Sequence, residues 1–518
     1  MAKRLAWSSA LIFIGVLFYW PLGRLLALTG FNLKLDDQAV AAVWFTLWQA
    51  VASTLIALVL ALPVAHLCYR RVFAGRSLLR ALVTVPFVLP VIVVAIGFSA
   101  VRKFLGLEDQ TAQASIGWII AAHVFFNIAV AVRTVGGVWA SLDAATLEAA
   151  RLDGAGKFRE FWSVQLPQLR SAFLAAGSLI FLYCLTSFGS VLLIGGGQVH
   201  AIETEIYFSV TEYLDISRAG ALAMVQLLLG LVVFSVASRF LSAESPLDAV
   251  LDFGVKRVSR RDWFSVAFTL LIVLGLIAPM FAVAWQAFDA GSANFANLAG
   301  QGARDVLNVS VAEAAGNSLR NIVVTVALSM GFGALVARLL VGRRNRFFEL
   351  LFLAPLAVSS VVLGLGYLIG FAEPPLALRE SWLAVPLAQT MVVLPLVIRI
   401  LLAALQASDQ ELSQAASVDG ANGWQTWWRV ELPLIRQSFA TALVFATVAG
   451  IGEFGTASLL VYGDQETLPT VLYRMIARPG TENFGMAMAA SFLLILFTWL
   501  AVWLAGLTRE TEPQPQRR

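Results

Sequence analysis

Twelve runs of mainly apolar residues divide this chain, at roughly 8–29, 42–69, 82–101, 115–139, 171–193, 219–240, 264–288, 317–341, 349–370, 382–404, 438–460 and 484–507. A helix of about 20 such residues spans the hydrocarbon core of a bilayer. The charge content points the same way. Only 13% of the 518 residues are charged, against 59% hydrophobic, whereas a soluble domain carries about 25% charged residues. The expected fold is therefore an all-α integral membrane protein with about 12 transmembrane helices. The first run follows Lys3 and Arg4 as a signal peptide would. It continues past Pro21 toward Leu28 with no A-x-A site, so it is read as a retained helix. Cys68 and Cys184 lie far apart inside apolar runs and give no disulfide framework. His66, His123 and His200 show no ligand spacing, so no structural metal site is expected.

The loops carry an orientation signal. If the N-terminus is cytoplasmic, that side collects Lys3, Arg4, the Arg70/Arg71/Arg76/Arg80 group, Lys256/Arg257/Arg260/Arg261, Arg343/Arg344/Arg346 and the C-terminal arginines. Basic residues concentrate on the cytoplasmic side of membrane proteins, and an even number of spans then puts both termini there. The net charge of +4 comes from these loops and is not a nucleic-acid signature.

The chain also repeats itself. Residues 148–167 read EAARLDGAGKFREFWSVQLP and residues 414–433 read QAASVDGANGWQTWWRVELP. At a constant offset of 266, nine of these 20 positions are identical, including Ala149/Ala415, Ala150/Ala416, Asp153/Asp419, Gly154/Gly420, Ala155/Ala421, Leu166/Leu432 and Pro167/Pro433. The register extends to Asp143/Asp409, Phe188-Gly189/Phe454-Gly455 and Tyr207/Tyr473. Each copy follows the fourth span of a half, so the halves are parallel repeats about an axis along the membrane normal. The expected division is a first half at 1–245, a linker at 246–263 and a second half at 264–518, with repeated loops at 141–170 and 407–436. Small helix-favouring alanines, a glycine free to turn sharply, an aromatic amphipathic segment and a proline at the next helix start make a rigid helix–turn–helix knuckle in each copy. The bland alternative is an amphipathic loop lying on the lipid surface.

This block resembles the EAA loop of ABC importer permeases: EAA, three residues, Gly, then Leu-Pro about a dozen residues on. The resemblance covers the whole chain and implies two type I permease domains in the inner (plasma) membrane. It implies that Glu148, Ala149, Ala150, Asp153, Gly154, Ala155, Leu166 and Pro167, with Gln414, Ala415, Ala416, Asp419, Gly420, Ala421, Leu432 and Pro433, couple the spans to two copies of an ABC ATPase. An external solute-binding protein delivers the cargo. Gln414 departs from the family's Glu, so the two docking sites are expected to be unequal.

The chain itself has no G-x-x-x-x-G-K-[ST] loop. The fragment Gly154-Ala-Gly156-Lys157 has Arg151 at its start and Phe158 where Ser or Thr would hold magnesium. No nucleophile–base constellation appears either. The chain is therefore expected to be a non-enzymatic subunit without cofactors, with ATP and Mg in its partners.

Polar residues at membrane depth are candidates for the path. Glu453 and its repeat partner Ser187 stand beside Phe454-Gly455 and Phe188-Gly189, and these six are read as bordering the central passage. The competing reading is helix packing with an internal hydrogen bond for Glu453. His123 and Asn127 form a second polar spot, read first as interior packing. Pro86, Pro90, Pro355 and Pro395 are expected to bend spans. Tyr207 and Tyr473 are expected on the external side, as interface anchors ahead of a docking role. The fused layout resembles the permeases for thiamine and for ferric iron. The glycine-rich turn before Glu203 to Tyr207 is closer to the former, and the GEFG segment is at home in the latter. A twelve-span secondary active transporter is the alternative, but it has no use for a duplicated knuckle.

Overall fold

The computed structural model describes residues 2–29, 34–107, 111–241, 256–300, 307–342, 346–374, 376–478 and 480–507. Residues 246–255 of the linker, Arg343, Arg344 and the arginines at 509, 517 and 518 lie outside the described residues. Among the described residues the fold is helical, apart from two two-residue strands that pair in parallel, Arg71–Val72 with Lys256–Arg257.

Among the described residues, nine helices are long and apolar enough to cross a membrane unbroken, and three bent pairs, each counted as one span, bring the total to twelve. They fall on the twelve expected runs in order. Spans 1 to 6 are Arg4–Thr29, Asp37–Arg70, Arg76–Phe87 with Val91–Phe104, Ala112–Ala140, Lys157–Leu185 and Ile216–Ala237. Spans 7 to 12 are Trp263–Ala287, Val311–Leu340, Phe347–Ala357 with Ser360–Gly370, Ala384–Ala407, Gly423–Leu434 with Arg436–Gly452, and Thr481–Leu500.

Several spans are bent or broken. Span 3 bends by 100° and span 9 by 95°. Pro90 caps the second helix of span 3, and Pro355 sits in the 3-10 turn before the break in span 9. There proline removes a backbone donor and ends the helix. Pro86 and Pro395, expected to do the same, lie inside continuous helices, Arg76–Val88 and Ala384–Ala407. Spans 5 and 11 were expected to run to 193 and 460. The helices stop at Leu185 and Gly452, and short helices Gly189–Gly195 and Gly455–Leu460 resume after the break.

The repeat is as regular in space as in sequence. Helices Ala144–Leu152 and Gln410–Val418, Lys157–Glu160 and Gly423–Thr426, π turns Phe161–Gln165 and Trp427–Glu431, and helices Ile202–Thr211 and Leu468–Ala477 all correspond at the offset of 266.

The halves interlock through their first spans. Span 1 packs against spans 8, 9 and 10 of the second half. Phe13 stacks on Phe332 with centroids 3.6 Å apart, the Tyr19 hydroxyl donates to the Leu351 carbonyl at 2.9 Å, and Trp20 Nε1 donates to the Gly370 carbonyl at 3.1 Å. Span 7 does the converse and packs against spans 2 and 3 of the first half. Beside it the Arg71 guanidinium makes a bidentate pair with Asp262 at 2.8 and 2.9 Å, next to the paired strands.

Candidate coupling knuckles and translocation path

Each knuckle begins with an aspartate cap. Asp143 accepts from the Ala145 N–H and Asp409 from the Glu411 N–H, both at 2.9 Å, which satisfies a free donor at each helix start. Each first helix ends at a glycine in the left-handed region, Gly154 at φ 82° and Gly420 at φ 86°. Only glycine takes that conformation without a Cβ penalty, so the chain reverses here. Pro167 and Pro433 stand just after the two π turns, where the helical bond pattern already loosens.

The tips of the knuckles are apolar and open. Leu152 is 89% exposed and its equivalent Val418 87%, while Phe158 and Trp424 are 78% and 70% exposed. Trp162 and Trp428 pair with them, with ring centroids 5.9 and 5.5 Å apart. Three large apolar side chains at one spot on each loop tip form a surface shaped for a protein partner rather than for water. Glu148, Ala149, Asp153, Gln414, Ala415 and Asp419 are exposed beside them, and Ala150, Ala416, Ala155 and Ala421 are partly covered.

The two knuckles are braced differently. In the first, Arg151 grips Glu160 through two bonds of 2.8 and 2.9 Å, Gln165 donates to Glu160, and Trp139 of span 4 donates to Gln165 at 2.8 Å. The second has Ser417 and Thr426 at the positions of Arg151 and Glu160. Its Glu431, standing where the first has Gln165, instead pairs with Arg338 at the end of span 8, Nε to Oε2 at 2.7 Å. The first arm runs unbroken into span 5, whereas the second turns by 85° between Leu434 and Arg436.

At the other end of spans 5 and 11 the two halves meet. Leu166–Leu185 has 20 residues, which places this level about 30 Å from the knuckle. Phe188 stacks on Phe454 with centroids 5.2 Å apart and planes 17° apart. Tyr207 meets Tyr473 edge-on at 6.4 Å, and each tyrosine lies against the phenylalanine of its own half. Repeat-equivalent residues touch one another only on the axis that relates them. The four rings therefore lie on the pseudo-two-fold axis and close it. Gly455 leaves room for this, since a Cβ there would overlap Ser360; a Cβ at Gly189 would only touch Phe454 and Val91. Tyr207 and Tyr473, expected as interface anchors, are instead half-buried against each other; a contact across the halves is invisible to a local reading.

The polar groups at this level are asymmetric. In the second half Glu453 accepts from the Thr456 N–H at 2.9 Å and from the Thr456 hydroxyl. In the first half the same positions hold Ser187 and Ser190, and both hydroxyls meet His123 Nε2, at 2.8 and 3.1 Å. Asn127 donates to the His123 carbonyl at 2.8 Å and faces Cys184. The sequence reading named Glu203 only as the start of a segment resembling the thiamine permeases and gave it no place on the path; it is fully buried on helix Ile202–Thr211. Its repeat partner is Pro469, so the duplication gave no signal for it.

Two exposed knuckles at one end and a ring seal between two six-span repeats at the other are the geometry of a membrane permease built from two related halves. The chain belongs to the family described as binding-protein-dependent transport system inner membrane component, whose profile matches it twice, at residues 53–243 and 329–509. It is thus a multi-pass inner-membrane subunit of the ABC importer type, of the thiamine and iron permease kind. It is 29% identical to the thiamine transport system permease protein ThiP of Escherichia coli (strain K12), over 90% of this chain and 89% of that one. It is 25% identical to ThiP of Brucella abortus (strain 2308) over 98% and 96%. It is 24% identical to the ferric transport system permease protein FbpB of Actinobacillus pleuropneumoniae over 90% and 71%.

Proposed function

We propose that this chain is the complete membrane pathway of a thiamine importer, with halves at 1–245 and 264–518 and both termini in the cytoplasm. The carrying observation is the pair of exposed apolar knuckles at equivalent positions. Two copies of one ATPase dock there, bind ATP and Mg, and close on each other. Glu148 to Ala155 and Gln414 to Ala421 form the contact surface, and the helices beginning at Leu166-Pro167 and Leu432-Pro433 carry the motion toward the axis. Phe188, Gly189, Phe454 and Gly455 then part, and solute released by an external binding protein passes between the halves, past Ser187 and Glu453. His123 and Asn127 hold the first-half break from behind.

Thiamine is favoured over ferric iron because the names of the more similar relatives are those of thiamine permeases. The test is uptake into proteoliposomes holding the permease, its ATPase and its binding protein. ATP-dependent thiamine accumulation without ferric uptake supports the reading. Accumulation of ferric iron alone overturns the choice of solute, and accumulation without the ATPase overturns the mechanism.

A further inference from the structure

Span 7 leaves a groove where it crosses the first half. The first helix of span 3, Arg76–Phe87, turns by 100° from the second. Between that helix and the start of span 7 lies an apolar cavity of about 350 Å³, open on one side. Leu78 and Leu82 form one wall, Val266 and Leu270 the other, and Leu67 of span 2 the floor. Span 7 exposes Leu270, Leu274 and Phe281 along one face, so the bilayer and not water borders the groove. The second half has an equivalent crossing. Gly97 of span 3 faces Pro279 of span 7, and Gly366 of span 9 faces Pro21 of span 1. There Trp7 of span 1 lies on Phe348 and Phe352 of the first helix of span 9, with ring centroids 4.9 and 6.2 Å apart. Rings thus cover the strip that leucine and valine leave open in the first half.

The mouth of the groove is basic. Val258 at its rim directly follows Arg257, and Arg260 comes two residues later. Both arginines are exposed, and neither guanidinium has a partner among the described residues. The acid beside them in sequence, Asp262, is already taken by Arg71. On the opposite rim Arg76 donates to the Cys68 carbonyl at 2.8 Å and closes the end of span 2. Trp263 and Phe264, at the start of span 7, are exposed, as aromatic residues are at the headgroup level of a membrane. This rim lies at the knuckle end of the molecule: Arg70 donates to the Trp139 carbonyl at 3.3 Å, and Trp139 braces the first knuckle.

We propose that this groove holds one anionic phospholipid of the bilayer, with an acyl chain along its leucine and valine walls and the phosphate at Arg257 and Arg260. The chain covers the apolar strip that rings cover in the second half. Basic pockets between spans at a membrane face take anionic headgroups, and guanidinium groups match the geometry of a phosphate. The lipid is bound once per chain, on the first half alone, and its site is separate from the passage between the halves. It stands whichever solute passes.

The test uses the whole permease purified with its ATPase and a phosphatidylglycerol that carries a photoreactive group on one acyl chain. Phosphatidylcholine with the same chain serves for comparison. Irradiation is expected to label the peptides holding residues 78–82 and 266–270, with a preference for phosphatidylglycerol on the order of tenfold, as two basic side chains at a membrane surface supply. The joint variant Arg257→Gln with Arg260→Gln should lose this preference, and Arg257→Lys with Arg260→Lys should keep most of it. Leu82→Trp, which puts a ring into the groove, should lose labelling by both lipids while the complex elutes intact. Equal labelling by the two lipids overturns the proposal, and so does a preference that survives the Gln variant. Labelling of residues 347–352 as strong as that of 78–82 also overturns it, because the lipid is then only part of the general shell around the protein. So does absence of labelling in the unaltered complex, which leaves the groove to a protein segment or a second copy.

Discussion

Gly154 and Gly420 show how much one residue decides in this molecule. Nothing lies within reach of a Cβ at either position, so space does not forbid a side chain. The backbone does, since a non-glycine residue in the left-handed region costs about 1–2 kcal/mol. That is too little to unfold a membrane protein and enough to reset a turn. Gly154→Val and Gly420→Val are expected to insert and purify normally yet lose most ATP-driven uptake; wild-type uptake by both would show that the turn does not transmit force. These glycines and the aspartate caps were legible in the sequence because their meaning is local: cap, helix, reversal, proline. Tyr207 and Tyr473 were read as surface anchors, whereas they pack against each other across the halves, because their partners lie 266 residues away. Glu203 was named only as the start of a segment, because its hydrogen bond comes from Ser359 in the other half.

Among elements, the informative comparison is between the two knuckles. The sequence showed their equivalence and, through Gln414, expected inequality. The larger difference lies in the bracing, where one residue type is exchanged at each of several equivalent positions. Arg338 ties the second knuckle to span 8, while the first knuckle is tied to itself and to span 4. Arg338→Ala should therefore raise ATP hydrolysis per solute moved severalfold, and Arg151→Ala should do so less; equal ratios in the two variants would show that the braces are interchangeable. The segment around helix Ile202–Thr211 makes a second prediction. Glu205 sits between His200 at 2.6 Å and Arg218 at 2.6 Å. The bond to Glu205 holds the His200 imidazolium above its usual pKa, with burial working against it. A raised folded value means that the pair stabilises fully below the unfolded value of about 6.5 and that this is lost as pH rises through the folded value. Thermal stability should fall across that window, and His200→Gln should flatten the fall. A pH-independent melting temperature in the unaltered protein would contradict it.

The whole molecule is held together in a way that apolar counting does not reveal. The twelve runs and the duplication fixed the number of spans and the parallel arrangement of the halves. They could not show that span 1 lies on the second half or span 7 on the first, because lipid-facing and protein-facing helices look alike in composition. Near that crossing Asp262 is held below the ordinary carboxylate range, first by its bond to Arg71 and against the effect of burial. A depressed folded value contributes stability above the unfolded value of about 3.9 and loses it only as pH falls through the folded one, so the clasp persists through neutral and mildly acid conditions. The crossed helices carry a consequence for how such a protein is made. If the gene were divided in the stretch encoding residues 246–255 and both pieces expressed together, they should copurify and restore uptake, since each lays its first helix against the other half; recovery of separate pieces would refute this. Covalent fusion would then serve to supply the two pieces in equal number rather than to keep them joined, and a dovetailed pair needs no glue.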